Sequence, residues 1–192
     1  MITLDLLKEE EIPYIQKLYK KSFPKIERKP WSTMMNFTKE GKYLPFVVHD
    51  AQKNPVGMCF FMVAPDLALL DYLAIDEKCQ SEGYGACVLK LIPKVMDNRK
   101  TIIEIEPLEE NADNYEQRVR RLKFYLRNGV HTTDLVVKLY DNDYHVCFTG
   151  GDSLSYEEYR YLYTHSYTEK RLKDKLYIIR REKIDERLYI CQ

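Results

Sequence analysis

An apolar run from Leu67 to Ile75 leads into Gln80-Ser81-Glu82-Gly83-Tyr84-Gly85-Ala86, and a helical pattern from Ala86 to Met96 follows. Strand, glycine turn and helix in that order present free backbone N–H groups to a phosphate. Glycine suits such a turn because the backbone must approach a ligand closely and can need a positive φ. The spacing is not G-x-G-x-x-G, and no Gly-Lys-Ser/Thr closes it, so neither a dinucleotide fingerprint nor a P-loop is present. By itself the turn also reads as a helix start softened by two glycines.

The flanking pattern is mixed. Residues 2–6 read as a short strand, and Glu9–Phe23 as a helix with Ile12, Ile15, Leu18, Tyr19 and Phe23 on one face. Pro24 ends that helix, Lys25–Pro30 is a basic loop, and Trp31–Lys39 is a second helix stopped by Gly41. Tyr43–Asp50 and Val56–Ala64 form a hairpin across Asn54-Pro55. The helix after the glycine turn carries Val88, Leu91, Ile92, Val95 and Met96 inward, with a kink or early end at Pro93. Lys100–Glu106 is a strand, Pro107–Tyr115 an acidic irregular stretch, and Arg118–Asn128 a helix with Gly129 as its C′ residue. His131–Tyr140 and Tyr144–Thr149 are strands joined at Asp141-Asn142-Asp143. Gly150-Gly151 marks a boundary, after which Ser155-x-x-Glu158 is a capping box opening a tyrosine-rich helix to about Thr164. Thr168–Gln192 is ambiguous between helix and strand.

Composition removes several function classes. Thirty basic and thirty acidic residues cancel, so no net field draws the chain to nucleic acid or an anionic membrane. The longest apolar stretches fall short of a membrane span, and Met1-Ile2-Thr3-Leu4-Asp5, without a basic or long apolar region, does not read as a signal peptide. Cys59, Cys79, Cys87, Cys147 and Cys191 are odd in number and widely spaced, which argues against a disulfide framework or zinc site and for a reducing cytoplasm. His49, His131, His145 and His165 lack metal spacing, so no metal is expected. Cys87 is expected to face the core. Most of the sixteen tyrosines read as packing and interface filler.

Gln80-x-x-Gly83-x-Gly85 resembles the pyrophosphate-binding signature Gln/Arg-x-x-Gly-x-Gly/Ala of the GCN5-related N-acetyltransferases (GNATs), which bind acetyl-CoA. Phe124-Tyr125-Leu126-Arg127-Asn128-Gly129-Val130 resembles that family's closing pattern, Phe/Leu-Tyr-x-x-x-Gly-Phe/Val, and follows at the family's order and spacing. The resemblance covers about residues 3 to 149. It implies an α/β fold of mixed α+β type, with a central mixed sheet of roughly six to seven strands flanked by about four helices. Residues 1–150 would form the N-acetyltransferase domain. Residues 151–192 would be a helical or mixed extension packing on the domain or on a partner subunit, with a homodimer possible.

The implied reaction is acetyl transfer from acetyl-CoA to a primary amine, small molecule or protein. A lysine-like amine is almost wholly protonated near neutral pH, a handicap of about 4 kcal/mol that a general base removes. Glu104 looks like the strand glutamate of ribosomal-protein N-acetyltransferases and is the candidate base. Glu106 is the fallback, and Asp71 on the preceding strand is a third candidate. A solvated strand face is the alternative reading of the glutamate pair. The resemblance makes Tyr125 the general acid that reprotonates the departing thiolate; by helix spacing alone Tyr125 reads as a core residue. The backbone of Leu73, Ala74 and Ile75 would pair with the pantetheine arm, and the segment Gln80, Ser81, Glu82, Gly83, Tyr84, Gly85 and Ala86 would hold the pyrophosphate. Two positions depart from the family. Arg118 stands where asparagine is common, seven residues before Tyr125, and Glu82 stands where a basic residue is frequent. The acidic run Glu104, Glu106, Glu109, Glu110, Asp113 and Glu116 suits a cationic acceptor or a solubilising loop. The other function class compatible with these features is a non-catalytic acyl-CoA-binding or assembly module of the same fold.

Overall fold

A computed structural model describes residues 2–190. Its strands are β1 (Thr3–Leu6), β2 (Tyr43–His49), β3 (Pro55–Val63), β4 (Leu67–Ile75), β5 (Lys100–Ile105), β6 (His131–Leu139), β7 (Asn142–Thr149) and β8 (Leu176–Arg181). Its helices are α1 (Ile12–Ser22), α2 (Trp31–Lys39), α3 (Tyr84–Val95), α4 (Tyr115–Arg127), α5 (Tyr156–Ser166), α6 (Glu169–Leu172) and α7 (Arg187–Ile190). Contacts divide the chain into two compact units, 1–98 and 99–192. Among the described residues no helix is long and apolar enough to cross a membrane.

In the first unit β1, β2, β3 and β4 pair antiparallel in sequence order. Helix α1 packs on β3 and β4, α2 on β2, and α3 on β4 and β1. The expected first helix is split. Glu9–Glu11 form a 3₁₀ turn and α1 begins at Ile12, with Pro13 in its first turn, where its missing N–H costs nothing. Ile15, Leu18 and Tyr19 are buried as the periodicity requires. Helix α3 starts two residues earlier than the pattern suggests, because Gly83 at φ 79° already serves as its N-cap. Cys87 is exposed, contrary to expectation, and Leu89 takes the inward position instead. Pro93 is followed by only two further helical residues.

In the second unit β7 lies between β5 and β6, and β6 also pairs with β8, all antiparallel. Strand β8 comes from the segment left ambiguous by sequence, and it raises the strand count among the described residues to eight, against six or seven expected. Helix α4 begins three residues earlier than read, and Gly129 ends it as expected. Gly129 has φ 78°, its N–H bonds Leu126 O at 3.1 Å, and Val130 N–H bonds Tyr125 O at 3.2 Å, the paired bonds of a Schellman motif. The β6–β7 turn falls at Tyr140-Asp141, one residue before the predicted place.

The residues beyond 150 are built into this unit. Gly150 and Gly151 pass close over the start of β5: a Cβ on Gly151 would lie 2.9 Å from Lys100 Cε. The capping box then forms as read, with Glu158 N–H to Ser155 Oγ at 3.1 Å and Ser155 N–H to the Glu158 carboxylate at 2.8 Å. Tyr159, Leu162 and Tyr163 of α5 are buried.

Gly57 sets the spacing of β3 and β4 at the end nearest the glycine turn. A Cβ there would meet Ala74 O at 2.6 Å and Ile75 Cδ1 at 2.8 Å. Gly57→Ala is therefore expected to destabilise the chain by about 1–3 kcal/mol, as overpacking does. Denaturant melts of the two proteins check this, and equal midpoints would show that the strands separate freely.

Candidate functional site

The sequence-predicted residues fall into two sets, one in each unit. In the first, β4 ends at Ile75 and Asp76 caps a 3₁₀ turn, Glu77–Cys79, by accepting from Lys78 N–H at 3.2 Å. Tyr14 donates to the other Asp76 oxygen at 3.1 Å, tying the turn to α1. Gln80 folds its side chain back to Ile75 O at 3.2 Å, so it braces the turn rather than reaching outward. Ser81 at φ 68° and Gly83 at φ 79° then reverse the chain. The first bond of α3 runs from Cys87 N–H to Gly83 O, and Gly83 has no side chain to cap the turn. The amides of Gly83, Tyr84, Gly85 and Ala86 thus point out of the helix start, where its dipole favours an anion. Glu82 is exposed and its carboxylate bonds the Tyr84 hydroxyl, which raises the phenol's pKa. Leu73, Ala74 and Ile75 pair with Cys59, Met58 and Gly57 of β3.

Just before them β4 carries a bulge. Tyr72 pairs with Phe60 and Leu70 with Phe61, which leaves Asp71 as the extra residue. The bulge turns Asp71 and Tyr72, successive residues, toward a common partner. Asp71 Oδ1 takes the Lys29 ammonium at 2.6 Å and Oδ2 accepts from Tyr43 OH at 2.6 Å. Tyr72 OH donates to Glu27 O at 2.7 Å and accepts from Lys29 N–H at 3.0 Å. Burial, and then the nearby Asp71 charge, push the Tyr43 and Tyr72 phenols well up. Asp71 is the third of the candidate bases by sequence, and nothing in the sequence shows the bulge or the loop lysine that meets it.

In the second unit Glu104 lies on β5, half-buried, and α5 covers it. Tyr159 OH donates to its Oε1 at 2.5 Å and Tyr163 OH at 2.6 Å. These two tyrosines are one helical turn apart and lie outside the stretch that carries the family resemblance. The capping box and the apolar face of α5 were legible; their carboxylate partner was not. Glu106 follows the end of β5 and has different company. It takes Arg121 at 2.7 Å, Asn114 Nδ2 at 2.9 Å and Arg118 at 3.3 Å. Arg118 also donates to Asn114 Oδ1 at 2.8 Å and Pro107 O at 2.7 Å. The family departure at 118 is thus a clamp that folds the 106–118 stretch back on α4. Tyr125 is half-buried on α4, its ring 5.3 Å from that of Phe124, and its carbonyl closes the helix end.

No family model matches the sequence, and no curated protein matches it. Solved structures resemble it in fold. A chain from Bacteroides thetaiotaomicron described as an acetyltransferase from the GNAT family superposes with TM-score 0.68 at 18% identity, over 85% of this chain and 96% of that one. The chain has the GNAT fold. Spermidine N-acetyltransferase from Vibrio cholerae, in complex with CoA and spermine, gives TM-score 0.59 at 15% identity, over 77% of this chain and 94% of that one. The ribosomal-protein-S18-alanine N-acetyltransferase from Escherichia coli gives 0.57 at 18% identity, over 81% and 100%.

The buried groups of this GNAT fold set a pH window for stability. Burial raises the thiol pKa of Cys59 and Cys147 and the phenol pKa of Tyr43 and Tyr159. Their contribution is complete below the unfolded thiol value of about 9 and is lost as pH climbs past it. Burial lowers the His145 pKa, so its contribution is complete above about 6.5 and is lost as pH falls through the depressed value. Tm is expected to be flat from about pH 7 to 8.5 and to fall on both sides. A Tm that keeps rising from pH 9 to 11 would contradict this assignment of buried groups.

Proposed function

We propose that the protein is an acetyl-CoA-dependent N-acetyltransferase acting on a primary amine. The observation that carries the reading is the uncapped start of α3, with left-handed Gly83 at the end of the turn that follows β4, in a chain of GNAT fold. The amides of Ser81 to Ala86 would take the pyrophosphate oxygens, and the backbone of Leu73 to Ile75 would line the pantetheine arm. Acetyl-CoA, when bound, supplies an acetyl group activated as a thioester. Glu104, oriented by two phenols, is the base for the acceptor's proton, with Glu106 the fallback. Tyr125 would give the departing sulfur its proton. The neighbours' acceptors, spermidine and the S18 alanine, define the amines to test first. A reducing compartment, the cytoplasm, fits the four free cysteines among the described residues. Self-association, a homodimer in the first instance, belongs to this reading, and the exposed Tyr177 and Ile179 of β8 are a surface for it.

Acetyl-CoA is expected to raise Tm saturably, and thiol release with spermidine, spermine or an alanine-initiated peptide reads the transfer. Binding without release for any amine would favour the acyl-CoA-binding module instead. Tyr125→Phe keeps the ring and should lower kcat by roughly ten- to a thousandfold while the KM for acetyl-CoA barely moves. An unchanged kcat, where chemistry limits the rate, would make Tyr125 a packing residue. Glu104→Gln should remove the acidic limb of the kcat/KM profile; if Glu106→Gln does so instead, Glu106 is the base.

A further inference from the structure

We infer that Asp71, Tyr43 and Tyr72 form a seat for a primary ammonium group, filled in the free protein by Lys29 of the chain itself and taken over by the acceptor amine. The acceptor half of this inference rests on the transferase reading above; the seat itself does not.

The geometry is that of ammonium recognition. Lys29 Nζ lies 2.6 Å from one Asp71 oxygen and 5.5 Å from the centre of the Tyr72 ring, while Tyr43 OH holds the other oxygen at 2.6 Å. A carboxylate with its second oxygen already satisfied, beside an aromatic face, binds a cation by charge and by the ring quadrupole together. The fixed parts of the seat are deep. The Asp71 side chain is 6% exposed and Tyr43 is fully buried against Met34 of α2. The occupant is the removable part. The Lys29 side chain is 21% exposed and enters from the loop between α1 and α2, whose residues 24–27 and 30 are exposed. That loop is fastened to β4 and α1 through Tyr72 OH and Tyr19 OH, the latter on Lys29 O at 3.1 Å.

Position supplies the functional half. Asp71 is two residues before Leu73, on the strand whose following residues lead to the uncapped start of α3. Asp71 lies two strand residues, about 7 Å, before Leu73, so the far end of a ligand whose phosphates sit at residues 81–86 and whose arm follows β4 backward approaches an amine held there. A buried ion pair adds little net stability over an apolar replacement, and the bulge that re-aims Asp71 disrupts the β3–β4 ladder. A binding role accounts for both. Because two ammonium groups cannot share the seat, Lys29 lowers the apparent affinity for any amine by the fraction of time it occupies it.

The test uses the full chain. Lys29→Ala removes three methylenes and the ammonium, which n-propylammonium replaces atom for atom; Lys29→Ser is the second variant should the first fail to fold. Millimolar n-propylammonium should raise the Tm of the variant saturably, raise that of the wild type only at roughly tenfold higher concentration, and do nothing when Asp71→Asn is added. Propanol, of equal length and uncharged, should have no effect. In a transfer assay with n-propylamine as acceptor, Lys29→Ala should lower its KM by roughly tenfold with the KM for acetyl-CoA unchanged. No amine-specific rise in Tm, or one that survives Asp71→Asn, overturns the seat. A seat that binds n-propylammonium with an unchanged acceptor KM overturns the takeover. Failure to bind acetyl-CoA overturns the transferase reading and leaves the Tm result standing.

Discussion

Two carboxylates, Asp71 on β4 and the half-buried Glu104 on β5, are drawn at least partly out of water, and what surrounds them must compensate. Taking a carboxylate out of water costs several kcal/mol unless donors replace the water. A hydrogen bond to a charged group returns about 1.5–3 kcal/mol, so one donor does not suffice and two or more do. Each carboxylate has at least two. Asp71 has Lys29 and Tyr43, and Glu104 has Tyr159 and Tyr163. Tyrosine is suited to the task because its ring packs like any apolar side chain while its hydroxyl reaches a polar atom. The wealth of tyrosine in the chain therefore has a specific use beyond filling space. Tyr43 and Tyr159, both fully buried, each end on a carboxylate.

That arrangement makes the C-terminal segment part of the second unit's chemistry. Helix α5 is started by its capping box and held at its first turn by the ion pair of Glu158 with Lys100, at the head of β5. This fixes the rotation of α5 about its axis, and a residue one turn apart from another then falls on the same face. Tyr159 and Tyr163 consequently converge on a single oxygen of Glu104. Strand β8 extends the same sheet through β6, and Glu186 accepts from the Thr132 N–H at 2.6 Å and hydroxyl at 2.8 Å. Removing the segment would therefore strip two donors from Glu104 and a neighbour from β6.

Much of the fold was legible because most elements rest on local rules. The helix of Trp31–Lys39, the strand of Leu67–Ile75, the capping box at Ser155 and the Gly129 helix end are each set by residues within a few positions of one another. What was not legible depends on partners far apart in sequence. The inward face of α3 includes Leu89 and excludes Cys87, a choice made by what packs against it rather than by period alone. The bulge at Asp71 is a mismatch between β3 and β4, invisible in either strand alone. Arg118 reads as a lost motif asparagine until Glu106, Asn114 and Pro107 are seen around it. The tail from Thr168 was ambiguous because β8 alternates only weakly and gains its identity from pairing with β6.

The same distinction bears on how the glycine turn would hold an anion. Glu82 places a negative side chain on the turn, and the chain has no net positive charge to compensate it. Side chains there repel a pyrophosphate more than they attract one. Attraction must come from the outward amides at the start of α3 and from the helix dipole behind them. Those groups are positioned by the backbone φ at Ser81 and Gly83 and by the side-chain brace of Gln80 on Ile75 O. The hydrogen bond from Tyr84 OH draws the Glu82 carboxylate toward the ring and so spreads its charge onto a neutral donor. Recognition built this way depends on the shape of the turn more than on the charges decorating it, which is why the spacing of Gln80, Gly83 and Gly85 carries more information than the identity of Glu82.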